Sequence, residues 1–318
     1  EQVENICEAT EDVAPGAARP NKLEKDGTLS FQGGVKVISS MANCPLQALL
    51  CHRLGCSSSE DEVKNGFDTS LDRGNLLHKC LQKFWEEYKQ EPNSQGLSSR
   101  NQAIKSIFGL DEVSYKACEQ IDFHPLETKI KDLVHQVLQA QEYKTLSQYV
   151  LDNEEKAATA TLLAWLKYEL NPHIRQDFNV VALEQPITLA IRVNSEQDLP
   201  CSELVCSGTI DRIDELQYKQ QPLGQIIIDY KTGNAKNAIV NAWDPSDDFA
   251  TNHQKRDYQL PLYAFASGQD NYRGLLFAKL KTNTFVGKAD FSDENIKANL
   301  QNAIDAETNS RNNQDNLG

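Results

Sequence analysis

The sequence predicts an α/β fold: a helix, a three-strand meander, a second helix and a further strand, with a block of helices inserted between the first helix and the meander. Three observations carry this. Leu77, Leu81, Phe84 and Tyr88 in RGNLLHKCLQKFWEEYKQ recur at helical spacing. The run 98–171 has the same period at greater length. After 177 the texture changes to VVALEQPITLAIRV, LVCSGTIDRIDEL and GQIIIDYKTG, three β-rich runs separated by turn residues.

Taken in order, residues 1–34 are polar, rich in Gly, Pro and Ala, and read as a flexible lead-in, with order beginning near Val35. SSMANCPLQALLCHRLG, 39–55, predicts a helix capped by Ser39 or Ser40, with Leu46, Leu49, Leu50 and Leu54 on its apolar face. Helix 73–90 carries His78 beside its apolar face. In the insertion, HPLETKIKDLVHQVLQAQEY and DNEEKAATATLLAWLKYELNP are helices, the second with a capping-box pattern at Asp152 and Glu155 and a stop at Asn171-Pro172. Beyond the meander and a polar loop at 234–256, DYQLPLYAFASG reads as a helix despite Pro261. GLLFAKL and TFVGKADF then read as strands, and DENIKANLQNAIDAE as a closing helix. The ordered core is expected to be one domain over 35–318, with the insertion at about 98–172.

A chain of 318 residues, 39% hydrophobic and 25% charged, has the composition of a soluble globular protein. It holds no apolar run long enough to span a bilayer, and its first residues lack the basic-then-apolar order of a signal peptide. A cytoplasmic protein is expected. The chain begins without Met, its one Met being Met41, and is expected to be a piece of a longer polypeptide. The eight cysteines are scattered and read as free buried thiols rather than a disulfide framework. Cys44, Cys51 and Cys56 lie close together but lack a C-x-x-C pair, so a small helix with buried thiols is expected there. A net charge of −14 argues against phosphate binding by the chain as a whole, yet residues 206–282 hold nine acids and nine bases.

That balanced segment carries the chemistry. In GQIIIDYKTG, alternation along a strand puts Asp229 and Lys231 on one face and Ile226, Ile228 and Tyr230 on the other. An isolated D-x-K is an ordinary strand-end ion pair worth little. GTIDRID, however, sets Asp211 on the preceding strand, with Gly208 allowing close backbone approach. Two carboxylates converging from adjacent antiparallel strands repel unless a cation lies between them, and oxygen ligands suit Mg²⁺ or Mn²⁺. Lys231, one pleat beyond, would face the cation's water or a substrate phosphate, a set suited to phosphodiester hydrolysis.

GTIDRID, IIIDYKTG and YQLPLYAFA, with Gly74 and His78 as an upstream G-x-x-x-H, resemble the PD-(D/E)XK nuclease superfamily. They are closest to its RecB-like branch, as in the nuclease domain that ends AddB-type proteins. The resemblance covers roughly 37–90 and 178–285 and implies a restriction-endonuclease-like core. It implies a catalytic set of Asp211, Asp229, Lys231 and His78, with Asp211, Asp229 and His78 at the metal. Gln259 and Tyr263, one helical turn apart, match a Q-x-x-x-Y that contacts DNA or supports the lysine, and Glu184 matches an acid often found before the motif strand. The proline that usually precedes the first aspartate is Ile210 here. Some relatives hold an iron–sulfur cluster through a Cys-Pro like Cys44-Pro45 and three late cysteines. No cysteine follows Cys206, so no iron–sulfur cluster is expected. The implied activity is Mg²⁺- or Mn²⁺-dependent DNA cleavage in repair or recombination, beside a helicase-like region or partner. Two rivals share these residues: a non-catalytic DNA-binding or scaffolding module, and a hydrolase of small phosphate esters.

Overall fold

The computed structural model describes residues 22–23, 28–30, 34–54, 70–91, 96–140, 146–192, 203–218, 221–233, 258–267 and 272–289. The loop expected at 234–256 and the closing helix expected over DENIKANLQNAIDAE lie outside them. The chain divides into two compact units. One comprises Glu1–Lys64, Pro186–Thr209 and Lys236–Gln269, the other Asn65–Gln185, Ile210–Ala235 and Asp270–Gly318.

In the first unit, two short strands precede Val35. Strand β1, Lys22–Leu23, pairs antiparallel with β2, Thr28–Ser30, which lies parallel to Glu203–Val205 at the start of β4, Glu203–Tyr218. Helix α1, Val35–Asn43, begins at Gly34, whose φ of 57° puts it in the left-handed region; a Cβ there would lie 2.1 Å from the Ser207 carbonyl oxygen, so only glycine fits. The expected helix of 39–55 is broken. Cys44 precedes Pro45 and is extended (φ −158°, ψ 102°), which ends α1. The chain restarts as α2, Pro45–Ala48, and runs on as a π-helical turn, Leu49–Arg53. Ser39 and Ser40 therefore lie inside α1 rather than at a cap. Leu46, Leu49, Leu50 and Leu54 are exposed instead of forming a buried face. Cys51 is likewise exposed and Cys44 half-exposed, its Sγ accepting from the Gln47 N–H at 3.4 Å, against the expectation of buried thiols. Helix α8, Gln259–Ser267, also belongs to this unit.

The second unit holds the insertion and most of the sheet. Helix α3, Ser70–Glu86, is followed by α4, Ser99–Phe108, α5, Glu112–Ala117, α6, His124–Leu138, and α7, Gln148–Glu169. Helix α7 starts a turn earlier than the Asp152–Glu155 pattern suggests, because Ser147 Oγ accepts from the Val150 N–H and caps it. Strand β3, Phe178–Arg192, pairs with β4, and β4 lies antiparallel to β5, Gln221–Lys231. Helix α8 intervenes in the chain before β6, Tyr272–Lys279, which lies parallel to β5, as a crossover connection allows. Strand β7, Thr284–Ala289, closes the sheet as an antiparallel edge. The predicted order of helix, three strands, helix and strand is the observed order.

One core explains the arrangement. Leu76, Leu81, Phe84 and Trp85 of α3, Trp165 and Leu166 of α7, and Ile226, Ile228 and Tyr230 of β5 are buried together. Each large apolar side chain so buried contributes about 2–3 kcal/mol. Strand β5 is not half-buried, as its alternation suggests. Ile227 and Asp229 are as inaccessible as Ile226 and Ile228, because β5 lies between β4 and β6 and is covered on both faces.

Candidate active site

The last ladder pair between β4 and β5 is Arg212 opposite Ile228. One residue further on, a side chain takes the place of a backbone bond: the Tyr230 N–H donates to Asp211 Oδ2 at 2.8 Å. The Tyr230 carbonyl oxygen accepts from His78 Nε2 at 3.0 Å, which leaves His78 Nδ1 turned to Asp211 Oδ2 at 3.4 Å. The peptide groups of one buried strand residue thus fix both an acid and an imidazole. Gly74, one turn before His78, lets α3 come close to the end of β5; a Cβ there would lie 3.3 Å from Thr232 Oγ1.

Glu184 completes the cluster. It lies within β3 yet has φ 46°, the left-handed region that costs a non-glycine residue about 1–2 kcal/mol. One ligand atom from each of His78, Glu184 and Asp211 falls within 4.8 Å of the others, and among the described residues this is where such groups gather. Asp229 stands beside the cluster with Lys231, whose Nζ is 2.6 Å from Asp229 Oδ2 and 5.0 Å from the centre of the Phe277 ring. Lys231 is thereby held by a buried carboxylate and an aromatic face.

The electrostatics are those of a site short of positive charge. Burial, then the charge of Asp211, raises Asp229 to about 7 against the opposing pull of Lys231. Burial and Asp211 raise Glu184 as well. Burial lowers the His78 pKa, but the Asp211 hydrogen bond and the charges of Asp211, Asp229 and Glu184 outweigh it and the net shift is upward. A divalent cation ligated by His78, Glu184 and Asp211 would relieve all three strains, so the donor set fits one.

A pH dependence follows. Each of these groups holds its proton more tightly folded than unfolded, so stability falls as pH rises through the interval. For Asp229 the interval runs from about 4, the unfolded value, to about 7. Denaturation in EDTA is expected to show wild type losing a few kcal/mol relative to Asp229→Asn between those pH values. Added Mn²⁺ at the upper pH is expected to recover stability. A difference independent of pH would remove the buried-charge account.

The strain at Glu184 is separable from its charge. Glu184→Gly, which accepts φ 46° freely, is expected to be about 1 kcal/mol more stable than Glu184→Ala by urea denaturation, although both lack the carboxylate. Equal stabilities would mean that the backbone there is not strained.

Behind the site lies an ion network that the sequence reading missed. On β4, Asp211 faces the cluster, while Arg212 and Asp214 point into the core and are wholly inaccessible. Arg212 binds Asp214 through Nε and Nη2 at 2.6 and 2.7 Å; its Nη1 reaches Glu169 Oε1 of α7 and the Tyr230 hydroxyl, each at 3.0 Å. Arg175 bridges Glu169 and Asp214 again, and Trp165 Nε1 donates to Glu169 at 2.9 Å. The signal was present in D-R-I-D, where charge falls on both faces of a strand that is buried on both sides.

Gln259 and Tyr263 belong to the first unit. There Gln259 Nε2 donates to the Tyr263 hydroxyl at 2.8 Å, and both side chains are buried. Gly208 makes room for that ring: a Cβ on it would lie 2.8 Å from Tyr263 Cε1. The close approach expected at Gly208 is thus made by an aromatic side chain.

A lysine paired to a buried aspartate on one strand, with a second aspartate on its neighbour and acid and imidazole groups alongside, is a donor set that could hold a divalent cation, on a fold of the restriction-endonuclease-like class. A family model of the PD-(D/E)XK nuclease superfamily matches residues 35–307, and the chain belongs to that superfamily. A search of curated proteins finds no match. Divalent metals are typical of such nucleases, and DNA is their implied substrate. Among the described residues no helix is long and apolar enough to cross a membrane.

Proposed function

We propose that the protein is a Mg²⁺- or Mn²⁺-dependent deoxyribonuclease. The observation that carries this is the convergence of His78, Glu184 and Asp211 beside the Asp229–Lys231 pair. Asp211, Glu184 and His78 would hold the cation, with Asp229, which the family resemblance also puts at the metal, adjacent to them. An imidazole in the set favours Mn²⁺ over Mg²⁺. When bound, the cation supplies Lewis acidity and a water of lowered pKa. Asp229 keeps the Lys231 ammonium at a fixed place on the site face, where it orients the attacking water or offsets charge on the phosphate in the transition state. His78 holds its tautomer by donating Nε2–H to Tyr230. Gln259 and Tyr263 on α8 would support this set or contact DNA.

The order of motifs further supports the RecB-like branch, in the manner of an AddB-type nuclease domain without iron–sulfur cysteines. Within that reading the protein works beside a helicase-like region or partner in cytoplasmic DNA repair or recombination. Incubation in Mn²⁺ with plasmid, linear duplex, single strands and nitrophenyl phosphate tests the proposal against its rivals. Cleavage of DNA but not of nitrophenyl phosphate is expected. Turnover of the small ester alone would favour a phosphate-ester hydrolase, and binding without cleavage a scaffolding module.

A further inference from the structure

A cavity of about 400 Å³ opens between α3, α7 and the ends of β5 and β6, in the same unit as the catalytic cluster. Its size is that of a small-ligand pocket. Leu76 and Leu77, the two residues before His78, form one wall, and Ala157, Ala158 and Thr161 of α7 form another. The Thr161 hydroxyl is donated to the Ala157 carbonyl oxygen at 2.9 Å, so that wall is largely apolar. Arg73 and Glu154 line it as an ion pair, the guanidinium held by the carboxylate at 2.6–3.0 Å, and Lys281 adds a further positive charge. Thr232, Gly233 and Leu280 complete the lining, the first two continuing directly from Lys231.

We infer that this cavity takes one unstacked nucleobase of the DNA strand being cut, an inference that rests on the nuclease reading above. Thr232 and Gly233 follow Lys231 directly at the end of β5, so the cavity opens within two residues of the lysine in the chain. A base next to a phosphate at Lys231 would therefore have the cavity beside it. The apolar walls suit the flat surface of a base, and Lys281 at the lining offers a positive charge to a neighbouring phosphate. The chain's net charge of −14 also leaves little sequence-wide attraction for phosphate, so burial of a base supplies affinity that phosphate contacts do not. Because a base inside a duplex cannot enter, the cavity selects single-stranded or frayed DNA. The insertion thus acquires a role, since α7 makes one wall.

The test is fluorescence-anisotropy binding in EDTA, where no cleavage is needed. It compares a short labelled oligothymidylate with an abasic strand of the same length. Wild type is expected to prefer the strand with bases by about tenfold, the scale of one stacked or buried base. Thr161→Trp, which fills the cavity, is expected to bind both strands alike and to bind the abasic strand as wild type does. Ala157→Trp, at an exposed position of the same helix, gives the same reading if Thr161→Trp does not fold. Absence of any preference in wild type, or a preference retained in the filled variants, overturns the inference. Cleavage in Mn²⁺ with no base preference in binding would sink the cavity alone, whereas failure to cleave any DNA would sink the nuclease reading and leave the binding result to stand by itself.

Discussion

Lys231→Ala is expected to lose about a hundredfold or more in single-turnover DNA cleavage while still binding the divalent cation, the scale for one preorganised electrostatic group. Lys231 is outside the cluster of His78, Glu184 and Asp211, so its loss removes no ligand from that set. Its partner is Asp229, 2.6 Å away. The ammonium is among the groups that lower the Asp229 pKa, and without it the buried carboxyl takes up a proton more readily, which limits the cost to folding. Asp211→Asn is expected to fail differently, with metal binding and cleavage weakened together. Calorimetric metal titration alongside cleavage distinguishes the two. Near-normal cleavage by Lys231→Ala would refute the role given to this strand, and so would an equal, small loss of stability in both variants with no effect on rate.

The largest expected effect on stability lies away from the chemistry. Arg212→Met is expected to cost about 3–5 kcal/mol in urea denaturation, the range for removing one partner of a buried ion cluster. In the native protein two guanidiniums, Arg212 and Arg175, face two carboxylates, Asp214 and Glu169, and the charges cancel. Burial would lower the Arg212 pKa, but Asp214 and Glu169 raise it further, so Arg212 is charged. Its loss leaves an uncompensated negative charge among Trp85, Phe178 and Tyr230, and the Trp85 and Phe178 rings lose a cation 4.3 and 4.9 Å from their centres. Adding Asp214→Leu restores neutrality, so the double variant is expected to be more stable than Arg212→Met alone. A double variant less stable than the single one would show that packing, not charge, dominates there. The network also touches the site, because Arg212 holds the hydroxyl of the same Tyr230 whose backbone binds Asp211 and His78.

How much of this was legible in the sequence depended on whether periodicity or three-dimensional context decided the matter. Helix α3 and the strands β3 to β6 were legible because an apolar period reports a buried face directly. Asp211 and Asp229 were legible as neighbours, since adjacent antiparallel strands leave few registers. The break at Cys44-Pro45 could have been read from proline's restriction of the preceding residue. The leucines at 46, 49, 50 and 54 could not: helical spacing marks a face as apolar but does not say that anything covers it. The left-handed backbone of Glu184 has no sequence signature, because glutamate is not a residue that favours it. The pairing of Arg212 with Glu169 of α7 joins residues far apart in the chain, which no local pattern encodes.

The central claim is that His78, Glu184 and Asp211 form a cation site beside Lys231. Its most direct test is a Mn²⁺ titration by calorimetry of wild type, Asp211→Asn and Glu184→Gln, each first checked for folding by circular dichroism. Wild type is expected to bind Mn²⁺, and each variant to bind at least about tenfold more weakly, since even residues that only support metal ligands have effects of that size. Unchanged Mn²⁺ affinity in both folded variants would contradict the claim.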